Sequence, residues 1–194
     1  MNQVEETLFR EVNSLAGQSA AVDLVMLALS DHRLWILVGV IFLLFALRTK
    51  NIAYLSLFFA AIIALGIADV ISFEVVKPVV ARERPCWILA NVKLVKGYCG
   101  GSYGFTSNHA ANAFAVWMIT SKAFGKKSRL SLLVLTLATA ISISRVYLGV
   151  HFWGDILGGA ILGMMVGWSA WAIGLKRLAD NITRLILGRF HSPG

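Results

Sequence analysis

His151 and Asp155 stand four residues apart in the stretch Ser144-Arg145-Val146-Tyr147-Leu148-Gly149-Val150-His151-Phe152-Trp153-Gly154-Asp155. On a helix that spacing puts both on one face. A carboxylate against one imidazole nitrogen fixes the tautomer and frees the other nitrogen as a nucleophile or base. A second histidine, His109, follows Thr106-Ser107-Asn108. All three of those residues are good N-caps. A helix that starts there offers unpaired N–H groups and partial positive charge, a seat for an anion. A third cluster reads Lys77-Pro78-Val79-Val80-Ala81-Arg82-Glu83-Arg84-Pro85. Arginine brings a planar fork matched to phosphate oxygens, and lysine a point charge. Singly, each cluster also fits a bland role: a buried structural His–Asp pair, a capped helix with an interfacial histidine, or a basic rim snorkelling to the headgroups. Together, Lys77, Arg84, Arg145, two histidines, a carboxylate and a helix N-terminus describe a phosphate site with its own nucleophile and acid.

The elements that must position these groups are membrane helices. Hydrophobic residues make up 58% of the 194 and charged residues only 14%, which excludes an ordinary soluble domain and a disordered chain. A mean hydropathy of +0.74 also sets the chain apart from nucleic-acid-binding domains, despite a pI near 9.9. Stretches long enough to cross a bilayer are 34–47, 53–73, 110–124, 130–149 and 156–175. Residues 20–29 are apolar over half a bilayer and read as a half-inserted helix, and 4–15 as an amphipathic surface helix. The expected fold is an all-α polytopic membrane bundle of about five to six spans. It forms a single domain over 1–194, with interfacial or half-inserted helices in 1–32 and a cytoplasmic tail at 176–194. The acidic start, Met1-Asn2-Gln3-Val4-Glu5-Glu6, predicts no signal peptide.

The net charge of +8 orients the spans. Arg48 and Lys50, then Lys122, Lys126, Lys127 and Arg129, then Lys176, Arg177, Arg184 and Arg189 fall on one side, the cytoplasm. Segments 74–109 and 144–155 share the opposite side. The first of them carries Lys77, Arg82, Arg84, Lys93 and Lys96 against the topology rule, as an anion site would require. The glycosylation pattern Asn181-Ile182-Thr183 falls on the cytoplasmic side and is discarded. Gly159, Gly163 and Gly167 recur every four residues in the last span, a pattern of close helix packing without chemistry.

Lys-x6-Arg-Pro, Ser-x-His and Ser-Arg-x5-His-x3-Asp, in that order, resemble the three motifs of the type 2 phosphatidic acid phosphatase (PAP2) superfamily. Here they read Lys77…Arg84-Pro85, Ser107-Asn108-His109 and Ser144-Arg145…His151…Asp155. The motifs cover roughly 80 residues, and the span layout extends the resemblance over most of the chain. The resemblance implies a PAP2-like core and a phosphohistidine mechanism. His151 attacks phosphorus and Asp155 orients it. His109 protonates the leaving oxygen and then helps to activate water. Lys77, Arg84, Ser107 and Arg145 hold the phosphate oxygens. No cofactor and no metal are implied, since the basic cluster supplies the positive charge and no acidic cluster suits Mg²⁺. The family's second motif usually reads Pro-Ser-Gly-His, whereas Thr106 and Asn108 stand here in place of Pro and Gly.

The resemblance further implies a phosphorylated membrane lipid as partner, in the bacterial inner membrane, with the site facing the periplasm. No nucleic acid and no obligate protein partner are expected. Chain length ranks undecaprenyl diphosphate first among substrates, followed by lipid A 1-phosphate, phosphatidylglycerophosphate and phosphatidic acid. Asp69 and Glu74 precede Lys77 by two turns and one; either an ion pair to a basic residue or a polar rim would account for them. Cys86 and Cys99 lie on the outer loop, where an oxidising compartment would permit a disulfide. Trp87 and Tyr98 read as interface anchors. Three other classes compete: a soluble vanadate-dependent haloperoxidase, a lipid-binding protein that keeps only the anion site, and a purely structural membrane protein. The apolar spans oppose the first, intact His109 and His151 the second, and the counter-topology charges the third.

Overall fold

The computed structural model describes residues 3–95, 97–172 and the single positions 177, 181 and 185. Lys96, the end of the span expected at 156–175, most of the 176–194 tail and part of the 181–183 glycosylation pattern lie outside the described residues. The order of helices is α1 (Gln3–Asn13), α2 (Ala20–Leu29), α3 (His32–Thr49), α4 (Ile52–Val70), a π turn (Ile71–Val76), α5 (Lys77–Val80), α6 (Pro85–Ile88), α7 (Asn108–Phe124), α8 (Arg129–Tyr147) and α9 (Trp153–Ala172).

Four helical stretches are long and apolar enough to cross a membrane: His32–Thr49, Ile52–Val80, Arg129–Tyr147 and Trp153–Ala172. Five to six were expected. The fifth candidate, α7, has 17 residues, about 26 Å at 1.5 Å per residue, short of a hydrocarbon core of about 30 Å. It lies in the middle of the bundle, packed by α4, α8 and α9. Lipid-facing α3 is its opposite, with Ile36, Leu37, Ile41 and Leu44 all exposed. Such a face is stable only in an apolar solvent.

The second span does not stop at 73. It runs on through the π turn and α5 to Val80. Pro78 has no N–H to donate, and the wider turn just before it adjusts the backbone around that loss. The helix ends at Ala81, whose φ of 47° is left-handed. Lys77 thereby gains a place on the inner face, where it is buried.

The core between α4, α7 and α9 is built from small residues: Ala60, Ala64 and Ala68 against Ala111 and Ala115, with Ile119 and Val166. The glycine stripe of α9 lies against α7. A Cβ at Gly163 would stand 2.0 Å from the Ala111 carbonyl oxygen, and one at Gly159 2.5 Å from that of Ser107. The two backbones touch because there is no side chain to keep them apart.

The amphipathic helix α1 has its inner face buried in the bundle. Phe9 is fully buried and stacks on Phe152 at 5.4 Å between centroids. Asn13 donates to the carbonyls of Lys93 and Tyr147, both at 2.9 Å, and accepts from the Lys93 N–H. Residue α2 Asp23 accepts from the Tyr147 hydroxyl at 2.7 Å. These bonds fasten α1 and α2 to the end of the bundle where the three motifs meet.

Candidate active site

Four chain ends converge there: the C-terminal ends of the Ile52–Val80 helix and of α8, and the N-terminal ends of α7 and α9. The fixed direction of each helix thus brings Lys77, Ser107, Arg145, His151 and Asp155 to one end. The 82–104 loop closes over it. Arg82 and Glu83 run beside Tyr103 and Gly104 through a single antiparallel bridge, Glu83 with Tyr103, and through the Gly104 N–H to the Arg82 carbonyl at 2.7 Å. Cys86 and Cys99 are joined by a disulfide, with Cα atoms 5.9 Å apart. Trp87 and Tyr98 are exposed on that loop.

His151 lies in the turn before α9 and is buried. Its Nδ1 is 3.3 Å from Asp155 Oδ2, which also accepts the Phe152 N–H at 2.9 Å. Its Nε2 is 3.0 Å from Arg84 Nη1. An arginine can only donate, so Nε2 carries the lone pair and Nδ1 the proton that faces Asp155. The tautomer is therefore fixed from both sides. Burial first, then the charges of Arg84, Arg145, Lys77 and His109, hold the imidazole well below its ordinary pKa. It is neutral at pH 7.

Arg84 also donates to the carbonyls of Gly101 at 2.6 Å and Val150 at 3.1 Å. Burial lowers its pKa and the Asp155 carboxylate opposes the shift. Lys77 Nζ donates to the Thr106 carbonyl at 2.7 Å. Arg145 Nε is buried without a hydrogen-bond partner, although a guanidinium N–H at such depth calls for an acceptor. Ser107 is the N-cap of α7, but its hydroxyl makes no capping bond, and it too is buried without a partner. Two unmet donors beside a helix N-terminus and a lysine match an oxyanion of several oxygens.

His109 sits half-buried in the first turn of α7. Its Nε2 is 3.1 Å from the Ser30 carbonyl, so that nitrogen carries the proton. Ser30, which joins α2 to α3, also bonds Ser144 through their hydroxyls at 2.8 Å. All seven expected site residues thus gather at one end of the bundle.

Thr106 and Asn108 are tied to α4. Ser72 Oγ bonds Thr106 Oγ1 at 2.9 Å and donates to Asn108 Oδ1 at 3.0 Å. Asp69 accepts the amides of Asn108 at 2.8 Å and Asn112 at 3.1 Å. Asp69 therefore serves amides, and the ion pair considered from sequence does not form there. Glu74 is exposed on the π turn.

Sequence reasoning missed three groups. Glu5 and Ser30 are far from the motifs in sequence and have no local signal. Gly104 is the third: a Cβ there would stand 2.9 Å from Asp155 Oδ2. Its place beside the Arg84 strand was hidden in an irregular loop.

The sequence pattern of the PAP2 superfamily matches residues 53–179. A lipid A 4'-phosphatase of Porphyromonas gingivalis is 32% identical over 169 residues, which are 85% of this chain and 70% of that protein. A lipid A 4'-phosphatase of Bacteroides thetaiotaomicron is 37% identical over 130 residues, 64% of this chain and 57% of that protein. Among solved structures, a transmembrane PAP2 type phosphatidylglycerolphosphate phosphatase from Bacillus subtilis superposes with a TM-score of 0.63 at 21% identity, over 89% of this chain and 87% of that one. With the family pattern covering most of its length and helices fit to cross a bilayer, the chain belongs to the PAP2 superfamily as an integral membrane phosphatase.

Proposed function

We propose that the chain removes a phosphate from a membrane lipid through a phosphohistidine on His151. The observation that carries this reading is the two-sided hold on His151: Nδ1 to Asp155 and a lone pair on Nε2 aimed at Arg84. As phosphate arrives, Arg84 transfers its N–H from Nε2 to a phosphate oxygen. Nε2 then bonds to phosphorus, and the bond from phosphorus to the lipid oxygen breaks. His109 protonates that oxygen. In the second half, water attacks phosphorus, His109 takes its proton, and the P–N bond breaks to free inorganic phosphate and His151. Lys77, Arg84, Arg145, the Ser107 hydroxyl and the α7 N–H groups stabilise the equatorial oxygens. With that much positive charge in place, the reaction runs without a divalent metal. The counter-topology charges of 74–109 favour an outward-facing site in the bacterial inner membrane.

The substrate favoured is a phosphorylated glycolipid of the lipid A class. Two relatives bear the name lipid A 4'-phosphatase. Asp69, Asn108 and Asn112 also set hydrogen-bonding groups beside the phosphate seat, suited to sugar hydroxyls and amides. Undecaprenyl diphosphate, ranked first from chain length, has no such support in the site.

The test is phosphate release by purified protein in detergent with EDTA. Lipid A, undecaprenyl diphosphate, phosphatidylglycerophosphate and phosphatidic acid are compared, with His151→Ala as the blank. Release from lipid A in preference to the others, lowered at least about a thousandfold in the variant, is expected. Equal release by the variant removes the phosphohistidine mechanism. Preference for undecaprenyl diphosphate removes the glycolipid assignment alone.

A further inference from the structure

We propose that Glu5 and Arg82 are positioning residues for the nucleophile, joined to it in the series Glu5–Arg82–Asp155–His151. Neither belongs to the three motifs, and the inference rests on the reading of His151 as nucleophile.

Asp155 is a fully buried carboxylate. Its Oδ2 is occupied by His151 and by the Phe152 N–H. Its Oδ1 makes no hydrogen bond, and the charge that faces it is Arg82 Nη1 at 3.3 Å. A buried carboxylate stays ionised only when its charge is met. Arg82 meets it and fixes the rotation of the carboxylate, which decides whether Oδ2 points at His151 Nδ1.

Arg82 is itself held on three sides. Its Nη2 pairs with Glu5 Oε2 at 2.5 Å, its guanidinium lies 4.7 Å from the Phe152 ring centroid, and its carbonyl accepts from Gly104. Both partners of the ion pair are mostly buried. Glu5 Oε1 accepts the Gly154 N–H at 3.0 Å, in the first turn of α9, where the helix dipole favours a carboxylate. Gly154 leaves the necessary room: a Cβ there would be 2.7 Å from Glu5 Oε1 and 2.8 Å from Arg82 Nη1. The N-terminal helix therefore reaches the nucleophile through two ion pairs, while no printed contact takes Glu5 or Arg82 to Lys77, Ser107 or Arg145.

The experiment measures phosphate release from lipid A and from phosphatidic acid in detergent across pH. It uses wild type, Glu5→Gln, Arg82→Ala, the double exchange Glu5→Arg with Arg82→Glu, and His151→Ala. The groups facing His151 are Asp155, Arg84, Arg145, Lys77 and His109. Removing the Glu5 charge leaves this surrounding more positive, so the acid limb of kcat moves to lower pH. Glu5→Gln is expected to lower kcat about tenfold and Arg82→Ala about a hundredfold, the span seen for outer partners of a functional histidine, with KM unchanged. The double exchange keeps an ion pair between α1 and the loop but sets a carboxylate against Asp155, so it does not restore kcat. Wild-type kcat in Glu5→Gln, a lowered kcat with an unmoved acid limb, or recovery in the double exchange would each overturn the proposal and leave a mere clasp. Thermal unfolding of each variant shows whether it folds; if Arg82→Ala does not, Glu5→Gln decides. Equal release by wild type and His151→Ala, or no release by wild type from either lipid, removes the nucleophile reading itself.

Discussion

The two flanks of the α7 N-terminus are built on opposite principles. On the α9 side, backbone meets backbone: Gly159 and Gly163 lie against the carbonyls of Ser107 and Ala111, and the Ser107 N–H donates to the Asp155 carbonyl at 3.0 Å. His151 and Asp155 are buried in that seam. On the α4 side, side chains meet side chains: Ser72, Thr106, Asn108, Asn112 and Asp69 form a chain of hydrogen bonds that ends at an exposed carboxylate. The nucleophile stands on the flank that cannot shift without moving a helix. The flank that can vary one side chain at a time is the one open to the surroundings. A shared reaction with differing lipids calls for such a division, since chemistry needs fixed geometry and discrimination needs exchangeable contacts.

The sharpest way to break the contrast is to widen the seam. Gly163→Leu would drive a side chain into the Ala111 carbonyl, a backbone atom that cannot turn aside. A loss of about 3 kcal/mol or more is expected, together with activity. Gly66, on the lipid side of α4, has nothing within 4 Å of a Cβ. Gly66→Ala is expected to keep activity and to gain up to about 1 kcal/mol from helix propensity. Thermal unfolding in detergent measures both. Equal effects at the two glycines would refute the seam.

The disulfide serves the same rigid flank. It closes the loop between Arg84-Pro85 and the Gly101 carbonyl that receives Arg84 Nε. In the chain-entropy model its removal costs up to about 3 kcal/mol. Cys86→Ser with Cys99→Ser should therefore lower the unfolding temperature and reduce kcat. A variant with wild-type stability would show that α1, through Asn13 and Lys93, holds the loop without it.

Acid probes the seam more gently. His151 is neutral in the folded protein because its pKa is depressed there. The unfolded chain binds a proton near pH 6.5 that the folded site refuses. The stability this histidine confers is thus complete above that pH and falls as the pH drops, by about 1.4 kcal/mol per unit, until the folded site is protonated too. His151→Phe should flatten that part of the stability curve. An unchanged slope would mean that other groups set it.

Local spacing made the motifs and their clustering legible, because helix periodicity and three short patterns are properties of neighbours in sequence. The ties that complete the site are not local. Glu5 meets Arg82 77 residues away, Ser30 meets His109 79 residues away, and Ser30 meets Ser144 114 residues away. No periodicity encodes such pairs. The π turn escaped for another reason. Two prolines argue for a chain reversal, and only the actual backbone shows that the helix rewinds around Pro78 and delivers Lys77 inward. The short α7 escaped because apolar content does not tell a lipid-facing span from a helix buried among others.

The mildest expected effect lies on the exchangeable flank. Asn108→Gly restores the family's residue and cuts the bonds to Ser72 and Asp69, while the α7 N–H groups stay in place. Phosphate binding rests on the backbone and the basic cluster, so hydrolysis of phosphatidic acid should change by less than about threefold. A glycolipid headgroup that bonds to Asn108 or Asp69 loses a neutral hydrogen bond, worth about 1 kcal/mol or a factor near five. The ratio of lipid A to phosphatidic acid turnover should therefore fall by that factor in Asn108→Gly and again in Asp69→Ala, with kcat for phosphatidic acid steady. If both lipids fall together, the α4 network supports the phosphate seat as rigidly as the glycine seam does. If only the ratio moves, discrimination resides on that flank and chemistry on the other.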